Sequence, residues 1–219
     1  MNSNLTGFNP TTVNVAINSV MTAYNEVVNA FGTQMQKNVV GFMADKWACN
    51  NAIDAFTEVK SSVDKLMQSI DSIFESVVAS MSSAAESWAA STGTSYSGTK
   101  LSPYNQQLSI DAIKENIGGV RGIDLENTPT VYTNLTEISE KSIEAMDKAK
   151  EAVAESGFFD VTNMQQGSLD NSLHMIRNNI TNAVNDITTS LRTAIEQTVS
   201  KYGDKKGEVS KAFAGSQAQ

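Results

Sequence analysis

The sequence predicts an all-α protein, a four-helix bundle made of two antiparallel helical hairpins. Three observations carry that expectation. Apolar residues recur every three or four positions along four separate segments, the spacing that lays one stripe along a helix. The composition is rich in Ala, Ser, Asn and Thr, holds only three prolines and is 7% aromatic, and it shows few strand signatures. The second half of the chain also repeats the layout of the first. At 219 residues the chain suits one or two domains and can bury a substantial core.

The elements follow in order. Residues 1–10 form a flexible lead-in that ends at Asn9-Pro10. A first helix then runs to about Ala44, with Val13, Ile17, Val20, Tyr24, Val27, Phe31, Met35, Val39 and Phe42 on its stripe. Gly32 and Gly41 soften it, by roughly 1 kcal/mol each against alanine. A short polar break follows over residues 45–51, with Asp45 and Asn50-Asn51 supplying turn and cap chemistry. A second helix spans residues 51–90, with Phe56, Val63, Leu66, Ile70, Phe74, Val77 and Met81 on its stripe. Residues 91–98 are a flexible polar connector. A short helix is expected over 103–117, with Leu108, Ile110, Ile113 and Ile117 on one side, stopped by Gly118-Gly119. Residues 122–129 are a loop.

A third helix begins near Thr130 and carries Val131, Leu135, Ile138, Met146, Ala149 and Val153. It breaks at Ser156-Gly157-Phe158-Phe159-Asp160, and a fourth helix runs from Leu169 to Val199. The domain boundaries that result are a first hairpin over 1–92, a linker over 93–129, a second hairpin over 130–203 and a flexible tail over 204–219. Offsetting the second helix by 117 places Phe56 on Leu173, Val63 on Ile180 and Phe74 on Leu191. Offsetting the first by 118 places Val13 on Val131, Ile17 on Leu135 and Met35 on Val153. A lone two-helix hairpin exposes its apolar stripe. The second hairpin can serve as the covalent partner of the first, since tethering raises effective concentration.

The first break holds Trp47-Ala48-Cys49. Trp47 is its one large aromatic, suited to plugging the space where two helices splay around a loop. A helical hairpin of this size with Trp-x-Gly in its turn resembles the WXG (Esx) family of small type VII secretion proteins of Gram-positive bacteria. In this chain cysteine stands where the family has glycine. The resemblance implies helical hairpins paired into a four-helix bundle, here as a tandem in one chain. Phe158 and Phe159 stand in the second turn where the first has its tryptophan.

The inventory excludes several functions. A net charge of −8 argues against nucleic-acid binding, which needs clustered Lys and Arg. One cysteine rules out an internal disulfide framework. No apolar run approaches membrane-spanning length. The opening Met1-Asn2-Ser3-Asn4-Leu5-Thr6 has no basic region and no hydrophobic segment, so no conventional signal peptide is expected. His174, the single histidine, has Asp170 one helical turn before it, too few ligands for a metal. Cys49 has no histidine near it in sequence and sits by Asp45, which disfavours a thiolate. Residues 118–122 lack the lysine of a phosphate loop. No catalytic residue, cofactor or metal is expected, and the protein is not expected to be an enzyme.

The resemblance implies a type VII secretion-associated protein, either an exported substrate or the partner and chaperone of an exported effector. It would be secreted without a cleaved signal peptide, or else cytoplasmic. The implied partners are the secretion ATPase or an effector protein, with a homo-oligomer as a further assembly. WXG-family partners often carry Tyr-x-x-x-Asp/Glu after their last helix. Here Tyr202 is followed four residues later by Lys206, so Tyr202, Asp204 and Glu208 form a variant of that signal at best. The alternative is a helical scaffold unrelated to secretion, because the Asn-, Thr-, Ser- and Ala-rich helices also resemble filament and appendage subunits.

Overall fold

The computed structural model describes residues 7–216, and the side chains of residues 7–202. Most of these residues are helical, and one two-stranded sheet accompanies the helices. Helix α1 spans Pro10–Asn29. The Asn9 side chain accepts from the Thr11 N–H at 3.0 Å, and Pro10 sits in the first turn, where its missing N–H costs nothing. The expected lead-in is partly anchored, because the Phe8 ring lies edge-on to Trp88 at 5.1 Å.

Beyond Asn29 the first helix departs from the expectation of one α-helix to Ala44. The backbone is π-helical over Ala30–Gln34 and again over Gln36–Val40, and α-helical only from Gly41 to Lys46, here α2. The apolar spacing supplies the reason. Along α1 the larger buried side chains alternate steps of four and three, at Val13, Ile17, Val20, Tyr24 and Val27, with Ala16 and Ala23 buried between them. From Val27 onward the residues with 0% exposure step by four, through Phe31, Met35, Val39, Met43 and Trp47, with Ala30, Val40 and Phe42 also buried beside them. Each step of four overshoots an α-helical turn by about 40°. Five such steps would swing Trp47 about 200° off the stripe in a regular α-helix. Bonding from i to i+5 over Ala30–Gln34 and Gln36–Val40 holds more residues per turn and so reduces that drift.

Strand β1 (Trp47–Ala48) follows, then α3 (Asn51–Ser91), whose first turn starts on the Asn50 carbonyl, bonded by the Ile53 N–H at 2.9 Å. Strand β2 is Gly122–Ile123, and a single 3-10 turn, Leu125–Asn127, leads into α4 (Thr128–Glu155). The short helix α5 (Phe158–Val161) and the long helix α6 (Gln166–Ser216) complete the order. The helix expected over 103–117 does not form. Of Leu108, Ile110, Ile113 and Ile117, which a helix would turn inward together, Leu108 alone is buried. The backbone of Ser109 is bonded to the Gln36 side chain instead, at 2.8 and 2.9 Å.

The chain divides into two compact units. The first takes Met1–Phe31, Lys65–Gln106 and Ser139–Asn182. Its core includes Ile17, Val20, Ile70, Phe74, Met146 and Ile176. There the buried Tyr24 stacks edge-on with Phe74 at 5.3 Å and donates its hydroxyl to Asp71 at 2.7 Å. Burial first, and the Asp71 carboxylate second, raise the Tyr24 phenol well above its usual range. Asn179 donates to Ser69 at 2.9 Å. On the surface of the same unit, Arg177 pairs with Asp147, and Lys150 with Asp170 at 3.3 Å.

The second unit takes Gly32–Asp64, Gln107–Ile138 and Ala183–Gln219. Its core includes Met35, Val39, Met43, Trp47, Val59, Leu135, Ile187 and Leu191. Each unit therefore draws on both the first and the second sequence hairpin.

Candidate functional site

The first turn is built in the second unit. Trp47 leaves α2 in an extended conformation, φ −139° and ψ 92°. This lets β1 pair antiparallel with β2, Trp47 opposite Ile123 and Ala48 opposite Gly122. The Asp124 N–H extends the ladder to the Lys46 carbonyl at 2.9 Å. The linker reaches this position through a two-residue turn. Ile117 and Val120 exchange backbone bonds of 2.8 and 3.1 Å around Gly118-Gly119, whose φ values of 58° and 84° suit glycine.

Charges brace the junction from outside. Lys114 pairs with Asp45 at 3.0 Å, and Lys46 with Asp124 at 3.7 Å. Asp124 also accepts from the Asn127 side chain at 2.8 Å and the Glu126 N–H at 3.2 Å. The Asn127 bond first, then the Glu126 N–H and the Lys46 ammonium, hold its carboxyl below the usual carboxylate range.

The indole points inward. Trp47 is fully buried, and its Nε1–H donates to Thr198 Oγ1 on α6 at 3.1 Å. Thr198 in turn donates to the Ala194 carbonyl at 2.8 Å, so both polar groups are satisfied. The Phe42 ring stands edge-on to the indole at 6.3 Å. Cys49 is 1% exposed, with its sulfur 3.8 Å from Thr198 Oγ1. No described residue other than glycine has a positive φ. Cysteine therefore meets no backbone penalty at the position where the resembled family has glycine. Chemically, Trp47, Thr198 and Cys49 make a closed plug. The thiol faces a hydroxyl, not a base that could take its proton.

The second turn belongs to the first unit. Gly157 has φ 76°, and Phe158 is fully buried on α5, which packs against α1. Phe159 is half-buried, its ring 6.0 Å from that of Phe158. Phe158 thus fills its turn as Trp47 fills the first, with no polar anchor of the indole kind. The two turns belong to different compact units.

His174 is exposed and bonds Asn178 at 3.1 Å, while the nearby Asp170 pairs with Lys150. Tyr202 is half-buried, with the Lys201 ammonium 5.9 Å from its ring centre. Asp204 and Glu208, the acidic part of the expected signal, lie outside the residues whose side chains are described. Helix α6 itself extends to Ser216, where a flexible tail was expected. Among the described residues no helix is long and apolar enough to cross a membrane.

Two partners of the turn lie far from it in sequence, β2 and Thr198. The turn that leads into β2 had a local signal, because Gly-Gly between Ile117 and Val120 is a hairpin signature. Thr198 had none, since it lies 151 positions from Trp47. Comparison with family models, curated proteins and solved structures gave no match to this chain.

Proposed function

We propose that this chain is a WXG-like helical protein of a type VII secretion pathway, exported itself or serving as partner to an exported effector. In this reading its two antiparallel hairpins pair as a four-helix bundle. The observation that carries it is the Trp47-Ala48-Cys49 turn between long helical segments, with its indole buried and bonded to Thr198. Two further features support the pairing of hairpins. Both compact units combine segments of the two hairpins, and each turn is filled by a buried aromatic, Trp47 or Phe158. The bundle would meet the secretion ATPase or an effector through protein surfaces alone, with no cofactor.

The test is secretion. Full-length protein and a form truncated after Val199 are expressed in a Gram-positive host with an active type VII apparatus, and medium is blotted against lysate. The truncation keeps Thr198 and removes Tyr202, Asp204 and Glu208. Full-length protein in the medium, with the truncated form folded but retained, is the expected result. Equal export of both forms removes the variant signal from the mechanism. Retention of the full-length chain while the host exports its own substrates overturns the exported-substrate reading. Failure to co-purify with any effector of that host would then leave a helical scaffold.

A further inference from the structure

The segment after α3 is held in an unusual way. From residue 94 to residue 107 no side chain is buried, yet the backbone is pinned to the first unit at several points. The Gly98 N–H donates to Glu86 Oε1 at 3.0 Å. Ser82 Oγ, on a residue only 6% exposed, both accepts from the Thr99 N–H and donates to the Thr99 carbonyl, each at 3.1 Å. The Tyr104 backbone bonds the Tyr24 hydroxyl, which itself donates to Asp71. The Tyr96 ring meets Phe8 at 5.6 Å. The helices thus read this strap through its main chain, as a sheet edge reads an added strand.

Side-chain selectivity enters at one place. A Cβ built on Gly98 would lie 2.7 Å from Glu86 Oε1 and 2.9 Å from Ser82 Cβ. A glycine must therefore cross α3 at this point for the Ser82 and Glu86 bonds to form together. The strap's hold is also weak for its length. Ordering each residue costs backbone entropy, and here no fully buried apolar side chain offsets that cost. Low burial and a solvent-exposed backbone are the marks of a segment that opens locally.

We propose that Tyr24, Ser82 and Glu86 form a binding site for an extended peptide, and that residues 96–104 occupy it in cis as a displaceable stand-in. The partner is an extended segment carrying an aromatic residue two positions before a glycine, as Tyr96 precedes Gly98. Its backbone N–H at the glycine bonds Glu86, and the next residue's N–H and C=O bond Ser82. An apolar or helical partner segment does not satisfy these groups. The proposal is independent of the export reading, since it rests on the strap contacts alone.

The probe is a fluorescently labelled peptide covering residues 95–106, titrated against the full chain and followed by anisotropy. The cis strap has the advantage of tethering, so the wild-type chain should bind the probe weakly. Gly98→Val in the full chain drives the strap off α3 and should tighten probe binding by roughly a hundredfold or more, the lower end of the advantage a tether confers. Adding Ser82→Ala should reverse that gain, and a probe carrying Gly98→Val should not bind. Should Gly98→Val unfold the chain, Gly98→Ala and hydrogen exchange carry the test. Strap amides in the folded Ala variant should then exchange faster, with α3 protection unchanged, and probe binding should rise. A folded, strap-released variant that leaves the probe unbound overturns the proposal. So does probe binding that is indifferent to Ser82→Ala.

Discussion

Replacing Thr198 by valine isolates the one polar bond that ties the tryptophan turn to α6. The swap nearly conserves volume, but it leaves the Trp47 Nε1–H buried with no acceptor. Trp47 is 0% exposed and Thr198 1%, so water cannot take over the bond. A stranded buried donor costs about 1–3 kcal/mol. For a chain of this size, each kcal/mol lowers the melting temperature by roughly 2–4 °C, so Thr198→Val should lower it by about 2–12 °C. Trp47→Phe removes the same N–H from the other side, and in that background Thr198→Val should cost less by that stranded-donor amount. Thr198→Val also removes the bond to the Ala194 carbonyl, but it does so in both backgrounds, and the double-mutant cycle cancels it. Urea unfolding followed by far-UV circular dichroism on the four proteins gives the coupling. Equal cost of Thr198→Val with Trp and with Phe at position 47 would refute the reasoning. The turn would then be held by ring packing alone, of which Trp47→Ala, at about 3–5 kcal/mol, is the measure.

Three further outcomes are expected. The Tyr24 phenol is raised by burial and by Asp71, so its contribution is intact below about pH 10, the ordinary phenol value, and is lost as pH rises further. Tyr24→Phe should therefore flatten the alkaline fall in the urea midpoint. The Asp124 carboxyl is lowered, chiefly by Asn127, so its contribution is intact above about pH 4 and is lost as pH falls through the folded value. Asp124→Ala should remove that acid dependence and speed amide exchange at the start of α4. Gly119→Val places a branched residue at φ 84°, at a cost of roughly 1–2 kcal/mol. Exchange protection should drop at Ile117 and Val120 while α3 is unaffected.

The helices were legible because amphipathic periodicity is local. The breaks near Asp45 and Ser156, and the starts of α3 and α4, fall within a few residues of their expected places. What periodicity hid was the linker. Leu108, Ile110, Ile113 and Ile117 mimic a helical stripe, but the Gln36 side chain takes the Ser109 backbone bonds there. The site divides the same way. The buried tryptophan was legible from its setting between two stripes. Its hydroxyl partner was not, because a threonine in a helix rich in threonine and asparagine carries no mark of the tryptophan it meets. The π-helical stretch was written in the sequence as a run of four-residue steps from Val27 to Trp47, a period easily merged with the 3.6-residue repeat.

That stretch makes residue number itself a structural quantity. Substituting one apolar side chain for another between Ala30 and Val40 changes packing at a single point. Removing or adding one residue rotates everything downstream by about 100°, which would carry the indole away from Thr198 and β1 away from β2. Between its pinned points at Gly98–Thr99 and Ser109 the strap has no such constraint, because an extended segment absorbs an extra residue by bulging into solvent. Among descendants of this chain, length variation should accumulate between Thr99 and Ser109 and be purged between Ala30 and Trp47, even where the residues themselves drift freely.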